Sequence, residues 1–274
     1  MEATLTFLGT GTSMGVPTLA CPCAVCASAV SPTGDPRNRR TRSSLKLNYN
    51  GHTVLVDTTP DFHFQAIREN IRHVDAVLYT HGHADHVLGF DDLRPLSFEL
   101  KDPMPLYADD ATASTIERIF DYTFRESRYP TSARVKMNRI DETPGANFDL
   151  FGARIQRLAV THGRQTITGY RFGSAAYLTD MSEIPPESLE LLQDLDILIL
   201  DALRRQPHPS HSHLERSLAY VEQLKPRRAY FTHISHDLDH GPTETELPPN
   251  VRLAYDGLQL HFDIAPQHPH EPAS

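Results

Sequence analysis

The 274-residue sequence has no tryptophan, only three cysteines and no long apolar run. Because a transmembrane helix needs about 20 mostly apolar residues, we expect no membrane span. The first residues, MEATLTFLGTGTSMG, carry no basic segment followed by an apolar one, so we predict no secretory signal and a cytoplasmic protein. Basic residues are also few: 26 Lys and Arg stand against 35 Asp and Glu, for a net charge of -9. That balance argues against a long nucleic acid as partner and favours a small anionic substrate.

Apolar runs of strand length recur along the chain, and most end in Gly, Asp, Thr or His. The predicted strands are Thr4–Leu8, Ser44–Tyr49, Thr53–Asp57, Ala76–Thr80, Ile155–Thr161, Ala176–Asp180, Ile197–Asp201, Ala229–Thr232 and Leu258–Phe262. The predicted helices are Phe62–Asn70, Ala111–Phe120, Pro186–Gln193 and Leu214–Leu224. The order mixes strands and helices, which favours layered sheets flanked by helices over a doubly wound sheet. We expect one α/β domain over residues 1–263 and a disordered Pro/His-rich tail over 264–274.

The motif H-x-H-x-D-H follows the apolar run that begins at Ala76. It comprises His81, His83, Asp85 and His86. The end of a strand places polar side chains at the rim of a sheet, where closely spaced His and Asp can divide between two adjacent metal ions. Imidazole and carboxylate suit zinc, manganese or iron. This spacing is therefore the sharpest indication of a metal site in the sequence.

A pair of hydrolytic metal ions needs further protein donors, and three other predicted strands end in suitable residues. His162, Asp180 and His233 each follow a threonine at such an end. A single His or Asp in this position is most often a cap or a core residue. Together with the H-x-H-x-D-H motif, however, the three predict a common centre.

The three cysteines lie within one six-residue segment, as Cys21, Cys23 and Cys26. This spacing is too tight for an orderly disulfide framework, so metal binding is the better interpretation, with buried or redox-active thiols as the alternative. Three thiolates supply three of the four donors that a closed tetrahedral zinc site needs. Because thiolates prefer zinc, we expect zinc here even where another site takes manganese.

The order of these motifs resembles that of the metallo-β-lactamase superfamily, which implies an αββα sandwich. The resemblance covers nearly the whole chain to Phe262. It implies one metal ion held by His81, His83 and His162. It implies a second held by Asp85, His86 and His233, with Asp180 bridging the two. Asp57, at a predicted strand end, would support the site from behind, although a simple strand cap is the alternative.

Within the superfamily, the sequence is most similar to the PhnP family of phosphoribosyl 1,2-cyclic phosphate phosphodiesterases. The similarity rests on Leu8-Gly-Thr-Gly11 with Gly15-Val-Pro17, the cysteine cluster, Thr232-His-Ile-Ser-His236 and Tyr255-Asp-Gly257. The resemblance supplies His236 as the fourth ligand of a structural zinc. That ligand would tie the N-terminal loop to the floor of the centre. Homodimerisation is expected by analogy alone.

The segment from His208 to His213 precedes a predicted helix and is suited to a general acid, because histidine titrates near neutral pH. Alignment with the family places this role at His211, with His208 and His213 as rivals. Catalysis would then rest on His211, Asp85 and Asp180.

A basic loop over residues 31–43 contains four arginines, Arg37, Arg39, Arg40 and Arg42. Such a loop is usually solvated, although one or two of these side chains would suit a substrate phosphate or ribose.

These observations predict a phosphodiesterase that hydrolyses a small phosphodiester, of cyclic ribose phosphate type, with hydroxide activated by two Mn or Zn ions. A tRNA 3′-processing endonuclease is the alternative, but such enzymes usually carry a protruding arm that grips tRNA, and the sequence has no long basic insertion of that kind. A thioesterase, lactonase or lactamase fits the cysteine cluster poorly. A catalytically silent metal-binding scaffold or sensor would not need a proton donor.

Overall fold

The computed structural model of the chain describes residues 1–125 and 131–264. Its strands form two seven-stranded sheets. The first sheet contains β1 (Glu2–Gly9), β2 (Ser44–Tyr49), β3 (His52–Val56), β4 (Ala76–Leu78), β5 (Met104–Ala108), β6 (Val135–Arg139) and β14 (Gln259–Asp263), in the order β14-β1-β2-β3-β4-β5-β6. The second contains β7 (Asn147–Leu150), β8 (Ala153–His162), β9 (Gln165–Phe172), β10 (Ala175–Leu178), β11 (Ile197–Asp201), β12 (Arg228–Thr232) and β13 (Val251–Leu253), in the order β13-β12-β11-β10-β9-β8-β7.

Most of the helices cover the outer faces of the two sheets, whereas the first packs against the 3-10 helix Pro36–Asn38. They are α1 (Ala24–Val30), α2 (Phe62–Arg68), α3 (Ala84–Val87), α4 (Leu93–Phe98), α5 (Asp110–Ile119), α6 (Asp121–Phe124), α7 (Pro186–Glu190), α8 (Leu214–Leu224) and α9 (His240–Glu246). Short 3-10 helices occupy Pro36–Asn38 and Phe90–Asp92. No helix in the two described ranges combines the length and apolar composition needed to cross a membrane. The predicted αββα sandwich is confirmed.

The apolar pattern of the strands explains the layers. In β11, Ile197 and Ile199 face the core between the two sheets, whereas Leu198 and Leu200 face the helices. Side chains alternate along a strand, so a strand that is apolar at every position is buried on both faces. The same alternation in β10 and in the first sheet gives three apolar layers: one between the sheets and one beneath each set of helices.

All nine predicted strands and all four predicted helices are present, with ends that differ by at most a few residues. The prediction missed β5, β6, β7, β9 and β13, and helices α1, α3, α4, α6 and α9. The loop predicted over residues 31–43 contains the 3-10 helix Pro36–Asn38.

Ile264, which the sequence analysis assigned to the tail, is buried, and its backbone N–H donates to the carbonyl of Met1. Residues 265–274 of the predicted tail lie outside the described residues.

Candidate metal centre

The predicted donors meet at one edge of the sandwich, where strands from both sheets end. The H-x-H-x-D-H motif follows β4 of the first sheet, and its Asp85 and His86 lie in the short helix α3. His162 ends β8 of the second sheet, while Asp180 and His233 follow β10 and β12. The sheets are joined near this edge by two hydrogen bonds, from the Thr168 amide to the Thr80 carbonyl at 3.0 Å and from the Tyr170 hydroxyl to the Tyr79 carbonyl at 2.7 Å. The donors of the two sheets therefore face each other.

All seven side chains converge, and they form two groups. Donor atoms within each group lie within 4.8 Å of one another. One group is His81, His83 and His162, and the other is Asp85, His86, Asp180 and His233. Asp180 lies between them: its Oδ1 is 3.2 Å from His86 Nε2, and its Oδ2 is 3.2 Å from His233 Nε2 and 3.9 Å from His81 Nε2. This is the division of ligands that the resemblance implies.

The chemistry of the donor set fits divalent metal ions. Nε2 of His86 and both ring nitrogens of His233 are buried and have no hydrogen-bond partner. A buried polar atom without a partner is costly, and neutral imidazole nitrogen is a good ligand for zinc or manganese. The unpaired nitrogens of His86 and His233 face carboxylates, as expected of residues that share a cation.

The electrostatics point the same way. Burial lowers the pKa of His81 and of His162, which keeps both imidazoles in the neutral form that binds metals. Burial alone would also oppose protonation of His86, but Asp180, Asp85 and Asp57 outweigh it and raise the pKa of His86 well above its usual value. Three carboxylates around one imidazole make this position attractive to positive charge, whether a proton or a metal ion.

Asp57 lies behind the centre, as expected. Its Oδ2 accepts a hydrogen bond from His86 Nδ1 at 2.7 Å, and its two oxygens accept the amide and hydroxyl of Thr80, each at 2.8 Å. The side chain of Asp57 is fully buried. It fixes the orientation of the His86 ring and leaves Nε2 for the centre.

His211 lies beside the centre, and a ring nitrogen of His211 is within 4.8 Å of donor atoms of His162 and Asp180. Its ring stacks on that of His233 with centroids 4.7 Å apart. His211 Nδ1 is 2.8 Å from Oδ2 of Asp201, which ends strand β11 and is fully buried. The contribution of Asp201 was not predicted, because it does not follow a threonine as Asp180 does, although it too is the last residue of a predicted strand.

The two rivals of His211 are placed differently. The His208 ring is 5.0 Å from that of His211, and its Nδ1 accepts the Ser210 amide at 3.3 Å. His213 occupies the N-cap position of α8, and in the described part of the chain no ring contact joins it to the centre. The geometry therefore favours His211.

The three cysteines surround His236, as the resemblance implies. His236 Nδ1 is 3.1 Å from Cys21 Sγ, 3.4 Å from Cys23 Sγ and 3.5 Å from Cys26 Sγ. Three sulfurs and one imidazole nitrogen are a donor set for a closed tetrahedral zinc site. Hydrogen bonding to the Cys26 amide lowers the pKa of Cys23 to about 6 against the effect of burial, which favours the thiolate that binds zinc.

The arginines of the basic loop mostly hold the fold together. Arg40 is buried, and its guanidinium lies against Thr10, Ala254 and His240, so a solvated position is wrong for this residue. Arg37 pairs with Asp35 and Glu244, and Arg42 pairs with Asp61. Arg39 is exposed, with no ion pair in the described residues.

Comparison with known proteins identifies the family to which this architecture belongs. The model of the β-lactamase superfamily domain matches residues 52–234, which include all seven converging side chains. The chain belongs to this superfamily. The crystal structure of a new diphosphatase from the PhnP family is 51% identical, with a TM-score of 0.89 over 96% of this chain and 98% of that one. Superfamily membership and this similarity support a metal-dependent hydrolase.

Two further similar proteins differ from this chain in length or sequence. An octanoyltransferase of Porphyromonas gingivalis is 36% identical over 262 residues, which cover 93% of this chain and 51% of that protein. The chain spans about half, or less, of the length of the curated relatives it matches. Human tRNase Z, short form, is 20% identical with a TM-score of 0.65, over 96% of this chain and 99% of that one, and shows the shared fold alone.

Proposed function

We propose that the chain hydrolyses a small phosphodiester, with two divalent metal ions, manganese or zinc, held by the seven converging side chains. The convergence carries the proposal, since residues from 81 to 233 meet in two groups with Asp180 between them. When bound, such a metal pair activates water and stabilises negative charge on phosphoryl oxygens. The protein would otherwise repel an anionic substrate, because its net charge is -9.

In this proposal His81, His83 and His162 hold one ion, and Asp85, His86 and His233 hold the other, with Asp180 shared. Asp57 holds His86 in its ligating orientation through the 2.7 Å hydrogen bond to Nδ1. Asp85 and Asp180 bring two negative charges to the donor set and Asp57 adds a third behind it, so two divalent ions, with four positive charges, would leave the site positive toward a phosphate.

His211 protonates the leaving oxygen. In this role His211 Nδ1–H donates to Oδ2 of Asp201, with the two atoms 2.8 Å apart. This hydrogen bond fixes the ring and leaves Nε2 to face the substrate. Stacking on His233 keeps the ring next to the phosphate site. Asp201 acts through His211 and is therefore a positioning residue.

Cys21, Cys23, Cys26 and His236 hold a third, structural zinc ion. His236 follows His233 by three residues, so this ion fastens the N-terminal loop to the segment that carries a catalytic-centre donor. A closed four-ligand site leaves no position for water or substrate, and its role is to position the loop.

The similar crystal structure is that of a diphosphatase, which makes a phosphoanhydride the second candidate substrate for this chain. Both classes of substrate place a phosphorus atom between two oxygens, and the same donors serve either. The tRNA 3′-processing endonuclease has support at the level of fold. Superfamily relatives differ in loops more than in metal donors, so a direct comparison of substrates is needed.

The test is a substrate panel on protein loaded with a defined metal. It contains a cyclic ribose phosphate, bis(p-nitrophenyl) phosphate, a dinucleotide, inorganic diphosphate, a nucleoside diphosphate ester and precursor tRNA. We expect the highest kcat/KM for the small diester, with Asp85→Ala inactive. His261→Ala, which changes an exposed histidine on β14, is the matched control and should keep full activity.

The outcomes separate the candidates. Faster turnover of diphosphate or its esters would replace the diester by a phosphoanhydride, and faster cleavage of precursor tRNA would favour the endonuclease. An absence of turnover on the whole panel with Mn and with Zn would overturn the proposal in favour of a metal-binding scaffold.

A further inference from the structure

Arg157 is a buried cation that the proposed reaction does not use. It lies on β8 between the two sheets and is 4% exposed. Its Nη1 donates to the carbonyl of Glu142 at 2.7 Å, while Nε is buried with no partner. A guanidinium has five N–H donors and stays protonated, so the Nε–H of Arg157 is a buried donor without an acceptor among the described residues.

No carboxylate lies within 4.0 Å of the Arg157 nitrogens in the described residues. The neighbouring Arg139 is different, because it forms ion pairs with Glu117 and Asp110. Burying a charge costs several kcal/mol unless a partner compensates it. Within the described residues Arg157 therefore forms no ion pair, although its charge acts on the exposed Asp141 at longer range and helps to lower the pKa of that carboxyl.

A cavity of about 130 Å³ lies against Arg157. Its lining includes Asn138 and the aromatic residues Tyr107 and Phe148, whose rings are stacked with centroids 4.8 Å apart. Asp141 also lines the cavity, but it is exposed and accepts a hydrogen bond from the Thr143 amide. A cavity of this volume has room for several waters or for a small oxyanion.

We propose that this cavity is a binding site for a small oxyanion, with phosphate or carboxylate oxygens, and that Arg157 is its anchor. The planar fork of arginine matches two oxygens of either group. The anion would supply the direct ion-pair partner that Arg157 lacks among the described residues. Tyr107 and Phe148 would exclude water from one side and strengthen the charge–charge contact.

The cavity is separate from the candidate metal centre. Arg157 precedes His162 by five residues on the same strand, which is roughly 16 Å at about 3.3 Å per residue. An anion bound there cannot reach the metal donors. The proposal does not depend on the proposed function, because it concerns another part of the sandwich.

The experiment is an NMR titration of the full-length zinc-loaded protein with inorganic phosphate and, separately, with acetate. Sodium chloride at matched ionic strength corrects for screening. We expect saturable shifts of the amides of Ala146, Phe148 and Arg157, of which Ala146 accepts the Arg157 amide and Phe148 lines the cavity. Phosphate bound at the metal centre shifts a different set, around Thr80 and His162, so the two events are read independently.

Arg157→Gln should weaken binding at the cavity roughly tenfold or more, because it removes charge-assisted hydrogen bonds, and should leave the shifts near His162 intact. Arg154→Gln is the matched control: Arg154 is exposed on the same strand, and both sets of shifts should persist. Arg157→Lys keeps the charge and should retain measurable binding if the glutamine variant does not fold.

Two results would overturn the proposal. One is the lack of any saturable change at Ala146, Phe148 and Arg157 in the wild-type protein with either anion. The other is an unchanged dissociation constant in the folded Arg157→Gln variant. A stronger response to phosphate or to acetate identifies which oxygens the site prefers.

Discussion

Asp57, Asp180 and His233 all have left-handed backbone conformations, with φ of 64°, 57° and 56°. Residues other than glycine seldom adopt this backbone conformation, and each instance costs on the order of 1 kcal/mol or more in folding free energy. Each residue directly follows or ends a buried strand, so the turn aims its side chain across the edge of the sandwich. The local strain serves to bring the donors of two sheets into one place.

Asp57→Asn tests the role of Asp57 at this scale. Asparagine tolerates the left-handed conformation, so the fold should persist, but it loses an oxygen that accepts the His86 Nδ1–H. We expect metal affinity to fall roughly 10- to 100-fold, measured by competition with a chromophoric chelator. Asp194→Asn is the matched control, since Asp194 is exposed and has φ of 57°. Equal affinity in the two variants would contradict the role given to Asp57.

The roles of His211 and Asp201 can be tested with substrates whose leaving groups differ in their need for a proton. For a diester with an alkoxide leaving group, His211→Ala should lower kcat by roughly 10²- to 10⁴-fold, because the oxygen needs a proton. For bis(p-nitrophenyl) phosphate the loss should be much smaller, since p-nitrophenolate leaves without protonation. Asp201→Asn should show the same selectivity to a lesser degree, with KM little changed. Equal losses on both substrates would point to a structural role instead.

The elements show which parts of the fold the sequence could predict. Strands such as β11, with buried residues at every position, are recognisable in the sequence as continuous apolar runs. The polar residues at the ends of such strands indicated most of the metal donors. Strand β9 carries a glycine in its middle and polar residues at its start, and β7 alternates exposed with partly buried positions, so neither has a clear apolar pattern. Helix α9, HGPTETE, has almost no apolar residues. Tertiary contacts with β13 and the basic loop determine that helix.

The site was predicted to the extent that each donor lies next to a recognisable strand. The hydrogen bond between Asp201 and His211 joins two segments ten residues apart, and only the turn between them shows that they meet. The buried position of Arg40 could not be foreseen either, because its partners Thr10, Ala254 and His240 are distant in sequence. Local patterns reveal ends of strands; contacts between loops require the folded chain.

The N-terminal loop and the segment after β12 are joined at the cysteine cluster, which gives a prediction at the scale of elements. Cys23→Ser should lose about one zinc per chain by elemental analysis, because a closed site needs all four donors. The metals at the seven-residue centre should remain, since that group shares no donor with the cluster. An unchanged zinc content would contradict the assignment of Cys21, Cys23, Cys26 and His236 to a structural ion.

On the scale of the whole molecule, the centre links the two sheets. Four donors follow β4 in the first sheet, and three follow strands of the second. A metal that binds the folded state alone stabilises it by about 2.7 kcal/mol at a hundredfold excess over Kd. For a chain of this length, that is a shift in Tm of roughly 5–10 °C.

Removal of the metals should therefore lower Tm by several degrees, as measured by calorimetry before and after treatment with a chelator. Added zinc should restore the original value. In Asp85→Ala the metal-dependent part of the shift should shrink, because one donor is missing. A Tm that is independent of chelator in the wild-type protein would contradict a bridging role for the ions.

The two bonds that join the sheets near the Thr80 carbonyl and the Tyr79 carbonyl lie directly beneath the donors. If these two hydrogen bonds break and the sheets separate at this edge, the metal ligands of the two sheets move apart before water reaches the apolar core. During slow denaturation, a chromophoric metal indicator would thus detect the released ions at the point where the two sheets separate. The release of the metal ions would therefore report the first step of unfolding.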